Sequence, residues 1–169
     1  MKKTKSVLKV IKFFLVILWM IIVFLFSNQP GKKSTNTSMS FTRKIVKTFV
    51  SKTNLRQEEK SKLIEKLEPI ARKFAHYTLY TIGGALIMNF VNTFRFTKGR
   101  KIFIGIMTGF IYAVTDEFHQ FFIEGRSASI KDVAIDTLGV ITGVFIVWLF
   151  FYCLDKLGRK NHRYSSSYK

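Results

Sequence analysis

Asp116, Glu117, His119 and Gln120 fall within five positions of one another in a chain that has only 10 Asp and Glu in all. Their spacing, and that of a few residues elsewhere, is helical. Arg72, His76 and Tyr80 repeat every four residues, as do Asp116 with Gln120 and Asp132 with Asp136, while Asp116 and His119 are three apart. Residues so spaced share a helix face, with neighbours ~6 Å apart along the axis. A histidine beside carboxylates can act as general acid and base, because imidazole titrates near neutrality and an adjacent carboxylate fixes its tautomer. His76, Asp116, Glu117 and His119 are the catalytic candidates on that ground. Arg72, Lys73 and Arg126 join them in a candidate ligand-binding pocket. No metal site and no cofactor are expected, because His76 and His119 are the only histidines of this set and HExxH spacing is absent. A purely structural alternative is that Arg72 and Arg126 neutralise the carboxylates and staple helices together.

The elements that must position these residues are membrane helices. The chain of 169 residues is 48% hydrophobic yet carries a formal net charge of +18. Apolar and basic residues must therefore be segregated, and the basic ones flank apolar runs instead of forming one face, which argues against nucleic-acid binding. Residues 13–26, FFLVILWMIIVFLF, contain no polar side chain. A bilayer core of ~30 Å needs about 20 helical residues, so a first span is predicted over 10–29. FLFSNQPG offers no small-residue cleavage pair, which favours an uncleaved anchor over a signal peptide. Further spans are predicted over 74–94, 102–123 and 133–154, the last with Asp136 as its single internal charge. The single cysteine, Cys153, reads as an apolar residue of this last span.

Residues 1–9 and 155–169 are then cytoplasmic tails, and 10–154 one all-α membrane domain, a four-helix antiparallel bundle. Lys and Arg divide evenly between the two sides. The crowding of charge at the ends of the tails and of the hairpin holding Arg95, Lys98, Arg100 and Lys101 favours the termini inside. Residues 30–73 form an outer loop with two amphipathic stretches. Phe41, Ile45, Val46, Phe49 and Val50, with Arg43, Lys44 and Lys47 between them, suit a helix on an anionic lipid surface. A second, capped by Asn54, carries Leu63, Ile64 and Leu67 on one side, and Pro69 is expected to interrupt it.

Antiparallel spans bring the start of span two, the end of span three and the start of span four to one membrane face. Arg72, Lys73, His76, Tyr80, Asp116, Glu117, His119, Gln120, Arg126, Asp132 and Asp136 thus form one polar layer. An ionisable group at the bilayer centre costs roughly 2.5–3.5 kcal/mol on insertion scales, so these groups face the bundle interior or a wet cavity. The inner halves of the spans lack acids, which argues against a through-going proton relay. Gly105 and Gly109 on span three, and Gly139 and Gly143 on span four, make two small-xxx-small faces that let helices approach closely.

RKFAHYTLYTIGG, DEFHQFFIEGRSASIKDVAIDTLGVITG and the first-span exit FSNQPGKKS together resemble the VanZ-like family of bacterial membrane proteins. The resemblance implies a four-helix membrane protein of Gram-positive type, related to a protein that confers low-level resistance to the glycopeptide teicoplanin. The family's polar positions match Arg72, Lys73, His76, Tyr80, Asp116, Glu117, His119, Gln120, Gly125, Arg126, Asp132, Asp136 and Gly139 of this chain. Some members carry a carboxylate where this chain has Leu79, and often a proline where it has Glu124. The expected partners are membrane lipids and an amphiphilic ligand, a glycopeptide antibiotic or a lipid-linked wall precursor, bound in an outer-face pocket. An enzyme acting on such a lipid, and a subunit of a larger membrane complex, are the rival readings.

Overall fold

The computed structural model describes residues 2–31, 35–36, 39–40, 42–44 and 56–166. Four long helices make up its framework: α1 (Lys2–Ser27), α2 (Gln57–Val91), α3 (Lys98–Gln120) and α4 (Ile130–Ser166). No strand occurs among the described residues. Two stretches are long and apolar enough to cross a membrane, Ser6–Ser27 in α1 and Ile130–Leu157 in α4. At 1.5 Å per residue the 22 and 28 residues of these stretches reach ~33 and ~42 Å, more than a ~30 Å hydrocarbon core requires. The predicted second and third spans, 74–94 and 102–123, fall largely in α2 and α3 but run past Val91 and Gln120, and neither helix contains a stretch long and apolar enough to cross a membrane.

The surface is apolar to an extent that water would punish. Phe14, Phe103 and Phe118 are each more than 60% exposed, and they sit among many other outward aliphatic and aromatic side chains. Such a surface belongs against lipid. The interior is correspondingly small, with Val16, Trp19 and Val23 of α1, Tyr80, Ile87, Met88 and Val91 of α2, Ala113 of α3, and Val140 and Val144 of α4.

Glycines set the spacing. The two small-residue faces of α3 and α4 serve different neighbours. Gly105 and Gly109 of α3 receive the side chains of Val144 and Val140 of α4, whereas Gly139 and Gly143 of α4 face α2. A Cβ at Gly143 would run into the Thr81 carbonyl, and one at Gly84 of α2 into the Val140 carbonyl. The α2–α4 seam is therefore backbone against backbone. Gly83 has a different task, since a Cβ there would overlap the Trp19 ring. Trp19 Nε1 also donates to the Leu79 carbonyl at 2.9 Å, and Tyr112 Oη donates to the Met20 carbonyl. At the opposite end Lys12 Nζ donates to Asn89 Oδ1 at 2.9 Å. Polar tethers thus hold α1, whose outer face is left to lipid.

Pro69 does not interrupt its helix; α2 runs unbroken through it. The ring removes one N–H and leaves the Glu65 carbonyl without its i+4 donor. Both residues are exposed, so water can take that acceptor. Residues Phe41, Ile45, Val46, Phe49 and Val50 of the first amphipathic stretch, and Asn54, the predicted cap, lie outside the described residues. The first helical turn of α2 is instead closed at Arg56, whose backbone N–H donates to Glu59 Oε2 at 2.8 Å. Leu63, Ile64 and Leu67 are half-buried.

Candidate functional site

The polar layer is built where α2, α3 and α4 meet the turn after α3. Gly125 makes that turn possible, since its φ of +70° is a conformation that side-chain-bearing residues rarely adopt. The exit of α1 packs on it: Gly31 N–H donates to the Glu124 carbonyl at 3.0 Å, and a Cβ at Gly31 would strike the Gly125 carbonyl. A cavity of about 140 Å³ opens beside this junction, lined by Arg72, Lys73, His76, Glu117, Gln120, Gly125, Arg126, Ser127, Asp132, Ile135 and Asp136.

Asp116 lies beneath the cavity and is 4% exposed. Its Oδ2 accepts three hydrogen bonds, from Ser27 Oγ at 2.9 Å, Tyr80 Oη at 3.1 Å and Gln120 Nε2 at 3.1 Å. Its Oδ1 is buried and accepts none. Asp136 is 1% exposed, and neither of its oxygens has a hydrogen-bond partner. The nearest cation-forming group is His76, whose Nδ1 lies 3.6 Å from Asp136 Oδ2. That separation is too long for a hydrogen bond of useful strength.

The expected neutralising arginines are engaged elsewhere. Arg72 pairs with Glu68 on its own helix at 3.9 Å. Arg126 donates to the Phe26 carbonyl at 3.1 Å, the Gln29 carbonyl at 3.0 Å and Gln120 Oε1 at 2.9 Å, so it caps the end of α1. Burial first, and the like charge of Arg72 second, lower the Arg126 guanidinium from its ordinary pKa. Lys73 pairs with Asp132 at 3.0 Å across the cavity rim. Glu117 Oε1 accepts the Ser129 N–H at 2.6 Å and so fixes the start of α4. Stapling does occur, but between rim residues, and Asp116 and Asp136 have no Lys or Arg partner among the described residues.

Of the residues singled out by spacing, Tyr80 and Asp116 form the floor and do not line the cavity. His119 is not brought to it, since its ring stacks on Phe24 of α1 at 4.7 Å between centroids. Ser27, Gly31, Ser127 and Ile135 were not singled out. Ser27 ends an apolar run 89 residues from Asp116, and no spacing rule links two such positions.

A family model described as VanZ/LLP1 matches residues 12–151, which contain every residue of the cavity and its floor. The chain belongs to the VanZ/LLP1 family. Membership, together with the two apolar helices, points to a membrane protein. No curated protein and no solved structure matches this VanZ/LLP1 chain. Chemically, the site offers cations at the rim for an anionic group, and below them an imidazole with two buried carboxylates.

Proposed function

We propose that this VanZ/LLP1 protein crosses the cell membrane of a Gram-positive bacterium four times, with both termini cytoplasmic. Its outer-face cavity binds an amphiphilic ligand, a teicoplanin-type lipoglycopeptide or a lipid-linked wall precursor. The observation that carries this reading is the rim, where Arg72, Lys73 and Arg126 surround a cavity at the end of lipid-facing helices. Clustered guanidinium and ammonium groups are matched to phosphate and carboxylate oxygens, and the outward Phe and Leu side chains suit a lipid tail. The basic outer loop 30–73 adds attraction for anionic headgroups.

Arg72→Gln and Lys73→Gln are the direct test, scored for insertion and for glycopeptide susceptibility of cells that express them. Protection should fall while the protein still inserts; unchanged susceptibility in the double variant would sink the reading. Topology is tested separately. Cys153 is exposed on α4, so a Cys153→Ser background is needed, and a cysteine placed at Ser129 should then react from outside intact cells. Labelling only after permeabilisation would invert the assignment.

His76 at the cavity wall, with Asp136 behind it, supports a second reading as an acid–base enzyme on a lipid or wall precursor. A lipid or precursor species that appears or vanishes in cells carrying His76→Ala would favour it over binding.

A further inference from the structure

We propose that His76, Asp116 and Asp136 hold a divalent metal ion at the floor of the cavity. One ligand atom from each lies within 4.8 Å of the other two. Some point is then no more than about 2.8 Å from all three atoms, against ~2.0–2.2 Å for bonds from zinc to imidazole nitrogen and carboxylate oxygen. Side-chain adjustments of at most about 0.8 Å close the difference.

Three further observations point to a cation and not to a simple polar cluster. Asp116 is anchored through one oxygen only: Ser27, Tyr80 and Gln120 all donate to Oδ2, leaving Oδ1 buried and open. Metal-binding carboxylates are held by outer hydrogen bonds in this way. Asp136 is almost wholly buried and neither oxygen has a hydrogen bond; its one ion-pair neighbour among the described residues is His76 Nδ1 at 3.6 Å, and an ionised group so placed is costly unless a counter-charge is close. The cations that would supply it are committed to Glu68, to Asp132 and to backbone carbonyls. A divalent ion on two carboxylates and a neutral imidazole gives a site of zero net charge, which low-dielectric surroundings favour.

One nitrogen and two oxygens suit zinc or manganese better than magnesium or calcium, which prefer oxygen alone. His76 and Asp136 also line the cavity, so a fourth coordination position faces it, as in metal sites that take a substrate or water. The spacing of these residues along the chain hides the site, because each ligand comes from a different helix.

The test needs no ligand other than the metal and so is independent of the amphiphile reading. The full chain, free of any polyhistidine tag, is purified in detergent, stripped with chelator and titrated with ZnCl2 or MnCl2. Metal content and thermal unfolding are then measured. The wild type should retain about one ion per chain and melt several degrees higher when loaded. Asp136→Asn and His76→Gln should lose both effects. Tyr80→Phe, which removes only an outer hydrogen bond, should weaken binding by about tenfold. A wild type that holds no ion in stoichiometric amount, or an Asp136→Asn variant that binds as the wild type does, overturns the proposal.

Discussion

The seam between α2 and α4 and the polar layer one turn above it are built on opposite terms. At the seam, Gly84, Gly139 and Gly143 bring two backbones into contact, and the hydroxyls of Tyr77, Thr81 and Thr142 beside them are all hydrogen-bonded. In the layer, only ~4.5 Å higher along α4 from Gly139 to Asp136, Asp116 Oδ1 and both oxygens of Asp136 are buried without a hydrogen bond. The seam is packed to completion; the layer is left chemically incomplete. Membrane helices gain no hydrophobic drive from meeting one another, so close packing must supply their association. The seam does this, and it allows the layer to keep groups that work against stability.

Changes at the seam should therefore cost stability, and conservative changes in the layer should cost function. Gly143→Leu should have the largest effect, a loss of ~3 kcal/mol or more in detergent melts, because the new side chain meets main chain that cannot yield. Trp19→Phe should lose about 2 kcal/mol, from its hydrogen bond to Leu79 and the filling of the space over Gly83. Asp136→Asn should reverse the sign. In chelator-treated protein it should melt higher by ~1 kcal/mol, since it removes a buried charge that has no Lys or Arg partner among the described residues and only His76 at 3.6 Å. A clear destabilisation there would mean that the ionised carboxylate contributes to the fold. Glu117→Gln should be the mildest, about 0.5 kcal/mol, since an amide oxygen still accepts the Ser129 N–H without the benefit of charge.

Much of this contrast is legible in the sequence. Apolar runs bounded by Lys and Arg give the positions of the four helices, and their antiparallel order gathers Arg72, His76, Asp116 and Asp136 at one level. What is not legible depends on rotation and on contacts distant in the chain. Asp116 and His119 are three residues apart and so differ by about 60° around the axis. That is enough to put one beneath the cavity and the other against Phe24. The partner of Arg72 is Glu68, on the same helix, and this pairing requires the helix to continue through Pro69. Local propensity argued against that continuation, and the exposure of the proline turn permits it. The link from Ser27 to Asp116 exists only once α1 is docked.

Arg126 gives the layer a mechanical property. Its guanidinium holds the Phe26 carbonyl in the last turn of α1 and the Gln29 carbonyl just beyond it with two of its nitrogens and Gln120 with the third, and Gln120 in turn holds Asp116. The height of the first helix in the membrane and the direction of the Asp116 carboxylate are therefore not independent variables. A bilayer that grew thicker or thinner around α1 would be felt, through three side chains, at the floor of the cavity.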